Sequence, residues 1–193
     1  NYNKNISIFK AEKVRIRIAV PEASRDAAVL REESALMVNE SLPWTIYFTS
    51  IMGNRHYKRM TRIHEPINPD EWPSDTNTFN VNVHYNFETN SILFPILMSL
   101  EQFIDSTLPS FYSYAGFGAF VGHEMSHGFD FKGRSHGPTG LDRNLTVGET
   151  SKNYEEKQKC FQEQYTALGE TRIEDAVLSE NIADNIAIDL AYK

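Results

Sequence analysis

Val121-Gly122-His123-Glu124-Met125-Ser126-His127-Gly128-Phe129-Asp130 contains His-Glu-x-x-His, and the rest of the chain reads as support for it. On a helix, at about 100° per residue, His123 and His127 leave one face a turn apart, where two imidazoles can grip one tetrahedral Zn²⁺. Glu124 then lies beside the metal, and a carboxylate there can take a proton from water attacking a carbonyl. Chance placement in a chain of this composition gives about 0.02 occurrences of the pattern. A surface helix with two unrelated histidines fits poorly, because Phe117, Ala119, Phe120 and Val121 make an apolar approach to His123.

A catalytic zinc takes three protein ligands and keeps one position open. Downstream, Ser179-Glu180-Asn181-Ile182-Ala183-Asp184-Asn185 places Glu180 and Asp184 one turn apart on one helix face. A ligand and a carboxylate that holds a ligand histidine by its second N–H can both reach one site from there. Alone, Glu-x-x-x-Asp is an ordinary acidic helix face; behind a His-Glu-x-x-His helix it reads as the other half of a metal centre.

The 193 residues allow one domain with a sizeable core, or a piece of a larger one. A hydrophobic fraction of 40% is globular, and a net charge of −7 argues against nucleic acid as a partner. The longest apolar run, Ile92 to Leu100, is broken by Pro95 and Ser99 and falls short of the ~18 residues that span a bilayer, so no membrane contact is expected from this segment. The chain opens without Met, a basic n-region or an apolar h-region, as a processed product or an internal segment would. Asn-x-Ser/Thr sequons at Asn5, Asn39 and Asn144 point to a secreted or lumenal protein. Cys160 is the single cysteine; it is either a buried free thiol or half of a disulfide with chain beyond this one.

Val14, Ile16, Ile18 and Val20 alternate with Arg15, Arg17 and Ala19 as a strand or a helix end. Helices are expected from Ser24 to Asn39 and from Pro43 to about Met60, the second with an aromatic stripe at Trp44, Tyr47 and Phe48. Phe79 to Tyr85 alternates as a half-buried strand, Glu88-Thr89-Asn90 turns, and Ser91 to Phe94 returns. This hairpin is either purely structural or an open edge that takes up an extended peptide as an added strand. Tyr114 to Asp130 is the metal helix and its exit, and two further helices span roughly Lys152–Leu168 and Leu178–Tyr192. His56 and His64 lie in no ligand pattern and read as surface.

The metal helix, the segment Glu-Asn-Ile-Ala-Asp-Asn (180 to 185), and Val-Asn-Val-His-Tyr-Asn with Asn-Ser-Ile-Leu-Phe-Pro (81 to 86, 90 to 95) together resemble the neprilysin and endothelin-converting-enzyme family, in the family's order and clearly from about Trp72 to Tyr192. The resemblance implies a thermolysin-like zinc endopeptidase that cuts short peptides on the amino side of hydrophobic residues, at the cell surface or outside the cell. It makes His123, His127 and Glu180 the zinc ligands, Glu124 the base and Asp184 the carboxylate behind the first zinc histidine. It gives Asn82 the substrate backbone, places Val83 where the family has alanine, and puts Met98, Phe103, Ala119 and Phe120 around the primed-side pocket. Phe120 replaces a smaller aliphatic residue, which makes that pocket shallower.

Ser179 stands where the family has Gly, Phe131 where it has an acidic residue, and the stretch after Gly140 lacks the family's paired tryptophans. The family also continues well past the position of Lys193, with a histidine and an arginine that act on the tetrahedral intermediate and a cysteine near its terminus; the resemblance also places a disulfide-bonded cysteine where Cys160 stands. The expectation is thus an α+β, thermolysin-like zincin catalytic core, mainly helical with a small β-sheet. It is one partial catalytic domain, with residues 1–73 a helix-rich lead-in and 74–193 the zinc-site core. It would bind one Zn²⁺ per chain and act on peptides. The alternative is a truncated or non-catalytic zinc-containing peptide-binding module.

Overall fold

Two stretches that the sequence presents separately, the alternation at 14–20 and the hairpin, belong to one three-stranded sheet. The computed structural model describes residues 2–21, 25–28, 41, 43–66, 68, 70–72, 78–100, 103–141, 143–171 and 174–193. Contacts divide the chain into two units, Asn1–Ala19 with Pro73–Lys193, and Val20–Trp72. In the larger unit α1 (Tyr2–Glu12) leads into β1 (Arg15–Ala19), which lies in a sheet with β2 (His84–Asn86) and β3 (Ser91–Pro95) in the order β1-β3-β2. β3 is central, parallel to β1 with Arg15 opposite Ser91, and antiparallel to β2 with Tyr85 opposite Ile92. All five of its residues are buried, which is why Ser-Ile-Leu-Phe-Pro is a continuous run and not an alternating one.

The expected strand at 79–85 is shorter than its alternation. Val83 and Tyr85 are buried, but Phe79 and Val81 are 73% and 71% exposed. Extending the observed register would set Asn82 opposite Pro95, which has no N–H to give the ladder. On β1 the polarity is the reverse of the usual one: Arg17 is buried while Ile16 and Ile18 are more than half exposed. The core of Val83, Tyr85, Ile92, Phe94 and Met98 is centred under β2 and β3, so the β1 isoleucines sit at its margin.

The metal helix joins the core through Phe117, Val121 and Met125. It is continuous but not uniform: α3 (Ser110–Ser113), a π-helical turn (Tyr114–Gly118) and α4 (Ala119–His127) follow one another. π turns widen a helix locally and occur often beside functional sites; here Ala115 and Gly116 face a cleft. After a 3₁₀ turn at Gly133–Ser135 come α5 (Glu149–Ala167) and α6 (Asp175–Tyr192), tied by the Asn185 amide donating to the Tyr165 hydroxyl at 3.0 Å.

α6 buries Leu178, Ala183 and Ala187. A Cβ on Gly122 would lie 3.1 Å from the Ala187 Cα and 3.3 Å from its carbonyl oxygen. The two helices therefore meet backbone to backbone at that point. Gly116 and Gly118 have no such neighbour: around Gly116 the space is open, and Gly118 makes ordinary contacts within its own helix.

In the smaller unit α2 (Trp44–Thr61) fulfils the expected second helix, with Trp44 stacked on Tyr47 at 5.7 Å. Beyond its end Arg62 pairs with Glu65 at 2.7 Å and with both carboxylate oxygens of Glu71. His56 and His64 are exposed. Most of the helix expected at 24–39 lies outside the described residues.

Replacing Gly122 by Val would force α4 and α6 apart, because the neighbour is backbone and cannot rotate away. Gly122→Val is expected to lower unfolding stability by about 1–3 kcal/mol, read from urea denaturation of the chain.

Candidate metal centre

α4 and α6 are joined only through the loop and α5, yet the Gly122–Ala187 contact sets Glu180 of α6 directly over the His123 and His127 pair of α4. The His123 and His127 Nε2 atoms are 3.1 Å apart. Glu180 Oε2 lies 3.1 Å from His123 Nε2, and Oε1 lies 3.6 Å from His127 Nε2. One ligand atom from each of the three residues falls within 4.8 Å of the others. Among the described residues this is the one group of three or more metal-ligating side chains.

The outer nitrogens decide which way the rings are protonated. His123 Nδ1 is 2.9 Å from Asp184 Oδ1, and His127 Nδ1 is 2.9 Å from Asp130 Oδ2. A carboxylate only accepts, so each Nδ1 carries the proton, and in the neutral ring each Nε2 turns a lone pair inward. With both rings neutral, two imidazole lone pairs and a carboxylate converge with no proton among them. That donor set repels itself unless a cation lies between, and three N/O donors on two helices suit Zn²⁺.

Asp130 has no role in the sequence reading, although it stands within the quoted stretch. It is 5% exposed, and its Oδ1 accepts from the backbone N–H groups of Lys132 at 2.9 Å and Gly133 at 2.7 Å. A carboxylate three residues after the second histidine, just past the helix end, was the available signal. The carboxylate behind His123 is in a different setting, since the Asp184 side chain is 67% exposed.

Glu124 is 6% exposed and faces β2. Burial pushes its carboxyl up to about 7, against the pull of the His127 charge and a hydrogen bond from the Tyr85 backbone. Burial alone would lower the pKa of His127; the bond to Asp130 and the charges of Glu124, Glu180 and Asp130 outweigh it and raise the value. The site is therefore rich in negative charge and short of cations.

The metal-ligating groups line a cleft of about 1010 Å³ whose walls include Asn82 and Val83 from the strand approach, Ala119 and Phe120 from α4, and Ser179 and Asp184 from α6. Val83 is itself buried and presents little beyond backbone, whereas Asn82 is exposed. The four expected pocket residues divide. Ala119 and Phe120 reach the cleft wall. Met98 is 2% exposed inside the core, and Phe103 packs on that core, edge to face with Phe120 at 6.1 Å. Neither of these two is among the residues that line the cleft.

A sequence profile of Peptidase family M13 matches residues 82–193, more than half of the chain. The chain belongs to peptidase family M13. Neprilysin-2 of Caenorhabditis elegans is 28% identical over 191 residues, covering 95% of this chain and 25% of that protein. PepO from Lactobacillus rhamnosis HN001 superposes with a TM-score of 0.82 at 19% identity, over 99% of this chain and 30% of its own. The zinc metalloprotease ZMP1 of Mycobacterium tuberculosis, solved with an inhibitor, gives 0.78 at 22% identity over 98% of this chain and 29% of its own. The α+β fold is thus that of M13 peptidases, and the chain spans about a quarter of the length of the curated relatives it matches. Cys160, exposed on α5, is not the buried thiol that the sequence left open.

Both imidazole–carboxylate bonds should matter for metal binding, the buried one more. Asp130→Ala and Asp184→Ala are each expected to weaken zinc binding by about 10- to 100-fold, with Asp130 toward the upper end because water screens its bond less. Chelator competition on the two variants checks both the size and the order.

Proposed function

We propose that the chain is the zinc-binding part of a metalloendopeptidase that hydrolyses short peptides on the amino side of hydrophobic residues, with one Zn²⁺ held by His123, His127 and Glu180. The observation that carries this is the inward set of two Nε2 lone pairs and a carboxylate, with the buried Glu124 beside it in an open cleft. Zinc in that position supplies Lewis acidity toward a carbonyl oxygen and toward water. Asp184 and Asp130 hold the two imidazoles by their Nδ1–H groups and keep the Nε2 atoms free for the metal.

Glu124 accepts the proton of the attacking water and passes it to the leaving amine nitrogen. Burial of Glu124 favours its protonated form, which helps the carboxyl hold the proton between the two halves of that transfer. The exposed Asn82, at the end of the β2 edge, hydrogen-bonds the substrate backbone, which gives affinity that does not depend on side chains. The preference for a hydrophobic residue is supported by Ala119 and by Phe120, whose ring is braced from behind by Phe103. An extracellular or cell-surface location is supported by the exposure of the sequon asparagines Asn5 and Asn144, while Asn39 lies outside the described residues.

Metal analysis of purified protein is expected to find one zinc per chain, lost in Glu180→Ala and kept in the controls Glu149→Ala and Glu174→Ala. Glu124→Gln keeps size and helix but cannot take up the proton. In a form extended to the length of the relatives, it should retain zinc and peptide binding while cleavage of a peptide with an internal Phe or Leu falls about 10²- to 10⁴-fold. Mass spectrometry follows cleavage and calorimetry follows binding. A wild-type protein that binds zinc and peptide but never cuts, indistinguishable from Glu124→Gln, would make the chain a peptide-binding module instead.

A further inference from the structure

Lys10 is the largest of the completely buried side chains, 0% exposed, and it comes from α1, far in sequence from the metal helix. Its ammonium donates to three backbone carbonyls: Gly128 at 2.7 Å, Gly133 at 2.8 Å and His136 at 2.8 Å. These are the carbonyls of the loop that leaves α4. The same loop holds Asp130 by the Lys132 and Gly133 N–H groups. Gly133 thus links the two systems, its carbonyl accepting a hydrogen bond from the Lys10 ammonium and its N–H donating one to Asp130.

We infer that Lys10 is a positioning residue for the metal centre, fixing the 128–136 loop so that the Asp130 carboxylate holds His127 in its metal-binding orientation. The inference rests on the zinc reading of His123, His127 and Glu180 and deepens it.

Three features support it. A methionine would fill the same space without the cost of burying a charge, so packing alone does not call for an ammonium here. The loop has no slack: a Cβ on Gly133 would fall 1.9 Å from the His127 carbonyl oxygen and 2.5 Å from the Gly128 carbonyl carbon. A shift of the Gly133 peptide is therefore passed straight to His127. Lys10 is itself anchored, because its carbonyl oxygen accepts from the Asn90 amide at 3.1 Å, and the same amide donates to the Pro138 carbonyl at 3.1 Å.

The test compares Lys10→Met, Asp130→Asn, the double variant and Asn90→Ala. Lys10→Met is expected to weaken zinc binding by about 10-fold or more in chelator competition and to alter the visible band of the cobalt-substituted protein. The double variant should lose no more affinity than the weaker-binding single variant, since both act through one carboxylate. Asn90→Ala removes the anchor of Lys10, and should lower the melting temperature and weaken zinc binding in the same direction as Lys10→Met but by less. In the zinc-free protein, ¹⁵N resonances of the His127 ring should report a fixed Nδ1–H form in wild type and a mixture in Lys10→Met. That readout stands even if the wild type proves to bind no zinc, which would sink the proposed function alone. Should Lys10→Met not fold, Lys10→Arg replaces it, because a planar guanidinium cannot aim three donors at the same converging carbonyls. A folded Lys10 variant with wild-type zinc affinity, cobalt band and His127 resonances would overturn the inference and leave Lys10 a stability residue.

Discussion

Two helices approach until the backbone of one touches the backbone of the other, at Gly122 on α4 and Ala187 on α6. Everything the centre does depends on that distance. A carboxylate side chain is short, so Glu180 reaches the Nε2 atoms of His123 and His127 only if its helix axis lies close to theirs. The small residues Gly122, Ala183 and Ala187 allow this by removing the side chains that normally hold helices 8–10 Å apart. One turn of α6 beyond Glu180 then carries Asp184 to the outer nitrogen of His123, so a single packing contact supplies both a ligand and its neighbour's support.

Charge is the second constraint, and it opposes the first. Glu124, Asp130, Glu180 and Asp184 crowd two histidines, in a chain of net charge −7. Buried carboxylates and facing lone pairs are unfavourable without a cation. The protein answers part of this with its own groups: the backbone amides of Lys132 and Gly133 on Asp130, the Tyr85 backbone on Glu124, and the ammonium of Lys10 nearby. Burial draws the Lys10 pKa down while Asp130 pulls it up, and the three carbonyls around Nζ match the three N–H donors of the ammonium form. The remaining demand, at the point where Nε2 and carboxylate atoms converge, is for a divalent ion.

The hairpin links the core to the cleft. Tyr85 and Ile92 fill the core while, three residues before Tyr85, Asn82 is left in the open beside the metal-ligating groups. Pro95 ends the ladder where it would otherwise reach Asn82, which leaves that residue outside the sheet pairing and exposed. At the turn, Asn90 adopts φ 47, a backbone conformation that asparagine tolerates better than most residues, and accepts the Tyr85 hydroxyl. Sheet, α1 and the loop after α4 are therefore pinned to one another by buried polar side chains, Lys10 and Asn90, and not by apolar packing alone.

The one-turn spacing of His123 and His127, the placement of Glu124 between them and the pairing of Glu180 with Asp184 are local properties of helices, and the chain announces them through residue type and period. The family and the α+β class follow from the same stretches. What the sequence does not carry is anything set by two distant segments meeting. Residues 14–20 read as strand or helix end because a strand exists only by virtue of its partner, and β3 lies more than seventy residues away. The alternation from Phe79 read too long because the proline that ends the ladder belongs to the other strand. Met98 and Phe103 took a pocket role by resemblance, and it is the fold that buries Met98 in the core and packs Phe103 against it. Lys10 looked like any helix lysine, since nothing in its neighbours in sequence shows three carbonyls closing around it. Sequence determined which side chains could do the chemistry; the close approach of α4 and α6, and the loop folded onto Lys10, decided where their lone pairs point.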